Sequence, residues 1–173
     1  ILRSPMRSSR DYKYSDLGFY FIPEIMENIV NKPFEEYVDM TFYKPLGLST
    51  TGFMPRKRFP LERIPPTEYD TVFRCQLVQG DVHDQGAAML GGVSGHAGLF
   101  SDANDLGVIA QMLIRGGTYG GARYLDSATI KEFTEWQFPL NDNRRGIGFD
   151  KPLQEYSPDK HLSNDTKVIR IRE

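Results

Sequence analysis

Cysteine is nearly missing from this chain of 173 residues: Cys75 is the only one. No internal disulfide can form, so pairing says nothing about the redox compartment, and Cys75 reads as a small buried hydrophobe. Histidine is scarce too. His83, His96 and His161 have no companion at ligand spacing, so no metal site is expected, and nothing calls for a cofactor. An excess of either charge is absent: 21 basic and 23 acidic side chains leave a formal net charge of −2. That excludes nucleic acid as the expected partner, because phosphate binding calls for a basic surplus. No stretch reaches the ~18 apolar residues of a membrane span. The chain also lacks an initiator Met at Ile1, so a cut start is expected, and its length need not be that of a functional unit.

What is present suits a folded domain. Hydrophobic residues make up 39% and aromatics 12%, enough for a core and too many for general disorder. Residues 1–13 are basic and polar and read as a loose arm. From Ser15 the pattern turns helical, with Leu17, Phe21, Ile22, Ile25, Met26 and Ile29 at steps of three and four. Pro23 predicts a kink or a helix start. Pro33 opens a second helix with the stripe Phe34, Tyr37, Val38 and Phe42, stopped by Pro45 and Gly47. Residues 49–80 hold Pro55, Pro60, Pro65 and Pro66 and read as a long irregular loop. Within them Arg56-Lys57-Arg58 reads as a solvated turn.

A short helix is expected within Val82–Leu90, then a glycine-rich loop from Gly91 to Gly98. Ser101 or Asp102 caps a helix carrying Leu106, Ile109, Leu113 and Ile114, and Asp126 or Ser127 caps another to about Trp136. Gly146–Phe149 reads as a short strand, and residues 153–173 as a polar tail. The fold class is therefore mainly α with a few short strands (α+β).

The usual nucleophile signatures are missing. There is no Gly-x-Ser-x-Gly elbow, and the glycine-rich loop lacks the Gly-Lys-Ser/Thr ending of a phosphate loop. Ser157-Pro158-Asp159-Lys160 spells Ser-x-x-Lys, but Pro158 follows the Ser in a polar tail, and the match reads as chance. Tyr14-Ser15-Asp16 has more chemical content. A Tyr at a helix entry near cations can have its phenol pKa lowered, and a phenolate can serve as general base.

These stretches resemble, in order, serine hydrolases of the class C β-lactamase and D-alanyl-D-alanine carboxypeptidase type, with their related esterases. Tyr14-Ser15-Asp16-Leu17-Gly18-Phe19 is similar to the family's Tyr-x-Asn motif, with Asp in place of Asn. Pro33–Val38 and Phe42–Phe53 are similar to the segment that follows it. Gly95-His96-Ala97-Gly98-Leu99-Phe100-Ser101, with Asp105-Leu106, resembles the loop that runs past the active site into a helix. Gly146–Asp150 resembles the strand opening the second half of the family's sheet. The likeness covers roughly residues 10–152.

The resemblance implies that residues 14–152 are the helical-subdomain part of a β-lactamase/transpeptidase-like fold. Tyr14 would shuttle a proton between nucleophile and leaving group, and Asp16 would meet substrate and the catalytic Lys. An ionised Asp accepts but cannot donate, which would favour ester or peptide substrates over β-lactams. His96 and Ala97 would border the substrate pocket. The family's Ser-x-x-Lys and Lys/His-Thr/Ser-Gly motifs are not among these residues, so this chain holds no nucleophile, and alone it is expected to be inactive. The whole enzyme would act through an acyl-enzyme on β-lactams, D-amino-acid peptides or esters, at the periplasm or cell surface. The alternative is a non-catalytic module on the same scaffold that binds peptidoglycan-like peptides. Helices that normally pack on a sheet would expose apolar faces, so self-association is expected, with disorder at the ends and in residues 49–80.

Overall fold

A computed structural model describes residues 3, 5, 8–9, 12–138 and 143–151. Most of the basic arm, the polar tail and Ser157–Lys160 lie outside them. The chain divides into two compact units, residues 1–127 and 128–173.

The helical part of the first unit begins without a side-chain cap. A 3-10 turn at Phe19–Phe21 runs into α1, Ile22–Val30, with Pro23 in its first turn, where the missing N–H costs nothing. Asn31 ends α1 in the left-handed region at φ 53°, a conformation that Asn tolerates. Next comes α2, Phe34–Val38, which passes into a π-helical turn at Asp39–Tyr43. The apolar stripe therefore continues as expected, but the hydrogen-bond ladder slips to i→i+5. Burial, reinforced by the Asp39 carboxylate, pushes the Tyr43 phenol pKa upward.

Residues 49–80 are more ordered than their prolines suggest. They hold two 3-10 turns and an antiparallel hairpin of β1, Pro66–Asp70, with β2, Gln76–Gln79. Pro66 is the first residue of β1, a position where a strand tolerates proline. Cys75 lies in the hairpin end, exposed and at φ 51° rather than buried as expected, because the tight connection turns it outward. Asp70 builds that end. Its carboxylate accepts the backbone N–H groups of Val72, Phe73 and Arg74, and Arg74 Nε at 2.9 Å. These bonds hold its pKa well below the usual carboxylate range, the Phe73 N–H and the Arg74 guanidinium contributing most. The basic triplet is largely occupied with internal partners. Arg56 pairs with Asp81 at 2.6 Å, and Arg58 donates to the carbonyls of Thr51 and Ser49.

The hairpin leads to α3, Gln85–Met89, then through the glycine-rich loop to α4, Ala103–Ile114. Asp102 caps α4 by accepting the Asp105 N–H at 2.9 Å. A two-residue pair of strands, β3 (Thr118–Tyr119) and β4 (Ala122–Arg123), closes the unit. Leu46, Leu48 and Met112 form the buried centre, with Phe42, Tyr43, Ile109, Leu113 and Leu125 packed around them. Tyr124 fastens this side by donating to the Pro45 carbonyl at 2.8 Å.

The second unit carries nearly all of α5, Ser127–Thr134. The strand expected over Gly146–Phe149 is absent. Instead Gly146 N–H donates to the Phe149 carbonyl at 3.0 Å, and Arg145 bridges to Asp150 around a tight turn. Gly148 sits at φ 76°, where a strand residue cannot be, and this is the physical reason for the turn.

Candidate active site

Tyr14 and Asp16 lie together at the entry to the first helical turn. The Tyr14 hydroxyl donates to Asp16 Oδ1 at 2.7 Å, and Tyr14 is 60% exposed. Ser15 Oγ accepts the Leu17 N–H at 3.2 Å, and the Asp16 carbonyl accepts the Phe19 N–H at 2.9 Å. The phenol is therefore presented to solvent on a turn whose backbone is pinned to the start of α1. In this arrangement the phenol is the donor and carries its proton. The carboxylate acts purely as an acceptor, so Asp suffices where an amide would also do.

The glycine-rich loop packs on the same turn. A Cβ at Gly95 would overlap the Phe19 carbonyl oxygen and lie 2.9 Å from Ile22 Cβ. Only glycine lets the loop backbone come so close. Gly95→Ala should therefore push the loop off the turn, at about 1–3 kcal/mol for overpacking. A lowered melting temperature checks this, and wild-type melting would contradict it.

His96 is held firmly within the loop. Its side chain is 3% exposed, and its ring stacks on Tyr20 with centroids 4.3 Å apart. Nε2 lies 2.8 Å from Asp84 Oδ1, and Nδ1 lies 2.8 Å from Ser94 Oγ. Asp84 also caps α3, accepting the Ala87 N–H at 2.7 Å. That cap, with the bond to His96, lowers the Asp84 pKa against the opposing effect of burial. An ionised carboxylate only accepts, so Nε2 carries the ring proton. Ser, His and Asp are thus in a row, but Ser94 is only 3% exposed and the order of ring nitrogens is reversed from a hydrolytic triad. The row is built to hold, not to attack. Ala97 is half-buried beside it.

Two stretches of the resemblance bond directly to each other. Asp105 Oδ2 accepts the Thr50 N–H and hydroxyl, both at 2.7 Å, and the Thr51 N–H at 2.9 Å. Thr51 Oγ1 also meets Ser101 Oγ at 2.7 Å, and Gly52 pairs with Phe100. The loop is therefore anchored at its exit as well. Burial opposes ionisation of Asp105, yet the bonds from Thr50 and Thr51 outweigh it and bring the pKa to about 2. A carboxylate depressed in this way stabilises the fold above its unfolded pKa of about 3.9. That contribution is lost as pH falls through the folded value. Acid unfolding should thus steepen between about pH 4 and 2, and Asp105→Ala should flatten the profile while lowering stability at neutral pH by about 2–4 kcal/mol. Urea titrations across that range measure both effects.

Asp84 also lines an open concavity of about 460 Å³, with Glu68, Asp70, His83 and Gly86 among others. Arg74 ties this lining together, donating to the carbonyls of Val82 and His83 and pairing with Glu68 at 3.3 Å. Among the described residues no three His, Cys, Asp or Glu are grouped to hold a metal ion. Sequence reasoning passed over Asp84, Ser94 and Tyr20. Asp84 had a readable signal, as an acidic residue at the start of the Gln85-Gly86-Ala87-Ala88 helix.

The family model described as Beta-lactamase matches residues 5–162. The chain belongs to the beta-lactamase family. Putative D-alanyl-D-alanine carboxypeptidases from Salmonella typhi and from Salmonella paratyphi B are each 41% identical over 133 residues, covering 70% of this chain. The chain spans about a third (31%) of the length of these curated relatives. A D-amino acid amidase from Ochrobactrum anthropi SV3, solved with L-phenylalanine amide, superposes with a TM-score of 0.52 at 18% identity, over 73% of this chain and 34% of that one. That likeness concerns the fold. No helix among the described residues is long and apolar enough to cross a membrane.

Proposed function

We propose that this beta-lactamase-family chain forms the helical-subdomain part of a serine hydrolase that works through an acyl-enzyme. Its substrates are β-lactams, D-amino-acid peptides or esters. The Salmonella relatives favour a peptide ending in D-alanine. Tyr14 is the proton shuttle between nucleophile and leaving group, and Asp16 orients the phenol and meets the substrate. His96 and Ala97 border the pocket. The Ser nucleophile and its Lys come from outside residues 1–173, and the chain alone does not turn over substrate. The compartment is the periplasm or cell surface.

The observation that carries this reading is the exposed Tyr14 hydroxyl, bonded to Asp16 at 2.7 Å on a turn fixed by the Gly95 loop. A group that transfers protons must be reachable and held, and this hydroxyl is both. Without its complement the chain would self-associate through α1, where Ile22, Ile25 and Ile29 share one exposed stripe. The test is covalent labelling by a fluorescent penicillin of the protein expressed from its whole reading frame. Labelling that survives denaturation is expected. Its absence, with no hydrolysis of D-alanyl peptides or p-nitrophenyl esters, would sink the reading.

A further inference from the structure

We infer that Asp84 and His96 form a positioning pair that sets the place of the Tyr14–Asp16 turn. The inference rests on the role given to Tyr14 above.

His96 is too enclosed to work on a substrate directly. Its side chain is 3% exposed, both ring nitrogens are bonded within the chain, and one face is covered by Tyr20. The ring therefore acts through what it holds. On one side it is tied to Asp84, the first residue of the α3 cap, and on the other to Ser94 at the loop entry. Its face carries Tyr20, four residues after Asp16. The residue before it, Gly95, rests on Phe19, whose N–H is bonded to the Asp16 carbonyl. Three short links thus connect the Asp84 carboxylate to the turn that presents the phenol. The hydroxyl of Tyr20 also sits against Gly86 in α3, where any Cβ would overlap it. Tyr20 is consequently clamped between α3 and the His96 ring.

Asp84 accepts the Ala87 N–H and bonds Nε2, and Nδ1 bonds Ser94 Oγ, so both ring nitrogens are partnered within the chain. Removing either partner leaves a buried polar group unpaired. The loop then has no reason to keep its register on Phe19 and Tyr20. Because Tyr14 acts on the transition state, a displaced phenol slows chemistry without weakening substrate binding.

The test uses the protein from its whole reading frame, with a fluorescent penicillin as probe and folding verified by circular dichroism. His96→Ala should lower the saturating acylation rate constant by about 10- to 100-fold, as a misplacement of about 1 Å does. The half-saturating penicillin concentration should stay within about threefold. Asp84→Ser gives the second route: Ser still caps α3 but is too short to reach the ring, so it should slow acylation comparably. Asp84→Asn keeps both accepted bonds and should recover most of the rate, and His96→Gln, which can still donate to Asp84, should recover part. If His96→Ala does not fold, Asp84→Ser against Asp84→Asn decides. Wild-type rate constants in His96→Ala and Asp84→Ser overturn the inference. So does a loss of labelled amplitude with an unchanged rate constant, which marks a structural role only. Tyr14→Phe separates the two levels. If it is slow while both positioning variants are unaffected, only the positioning pair fails; if it is itself unaffected, the reading of Tyr14 fails and the inference with it.

Discussion

Tyr14→Phe should slow acylation by about 10²- to 10⁴-fold, the range that a positioned acid–base group contributes. The substitution removes one hydroxyl and keeps the ring. Tyr14 is 60% exposed, so its ring is not a core element. What is lost is the bond to Asp16 at 2.7 Å and the only atom of the side chain able to carry a proton. Stability should move by no more than about 0.5 kcal/mol, as for surface changes generally. The comparison of labelling rate with melting temperature therefore isolates chemistry from folding. A slowed rate with unchanged melting is the expected result. A wild-type rate would remove Tyr14 from the proton path.

The 173-residue chain by itself should show no turnover of nitrocefin or of a p-nitrophenyl ester. A serine hydrolase stripped of its nucleophile loses about 10⁶ in kcat, which places the remainder below detection in an ordinary assay. The described residues offer no substitute. Ser94 is the one Ser bonded to a His, and it is buried with its hydroxyl committed to Nδ1. The same preparation should run larger than a monomer in light scattering, because Ile29 is 72% exposed at the end of the α1 stripe. A clean monomer would show that this face needs no cover. Robust turnover would place a working nucleophile among these residues.

Much of the helical framework was legible because its signals are local. Pro23 marks the start of α1, Asp102 caps α4, and the stripe after Pro33 continues through Phe42. What escaped depends on backbone chemistry that periodicity does not carry. Four prolines in residues 49–80 obscured a hairpin whose end is organised by one carboxylate, Asp70, accepting three successive N–H groups. Gly146-Ile147-Gly148-Phe149 has alternating apolar residues like a strand, but Gly148 at positive φ makes it a turn.

The candidate site divides in the same way. Tyr14 and Asp16 are two residues apart, so their pairing follows from a single turn. Ser94 likewise meets His96 from two residues away, but Asp84 and Tyr20 reach it across the glycine-rich loop and across the stretch from α1 to α3. Such meetings are set by tertiary packing and have no signature in spacing. His96 itself stood out by residue type, but its burial, and hence the manner in which it acts, is a property of the fold. The Thr50–Asp105 bonds show the converse: two stretches recognised separately belong together because one carboxylate holds both.

The most direct test of the account is to locate the acyl group. The protein from its whole reading frame is labelled with a penicillin, digested, and the modified peptide sequenced by mass spectrometry. The account predicts a single acylated Ser outside residues 1–173, followed three residues later by Lys. An acyl group on any residue from 1 to 173 would contradict it.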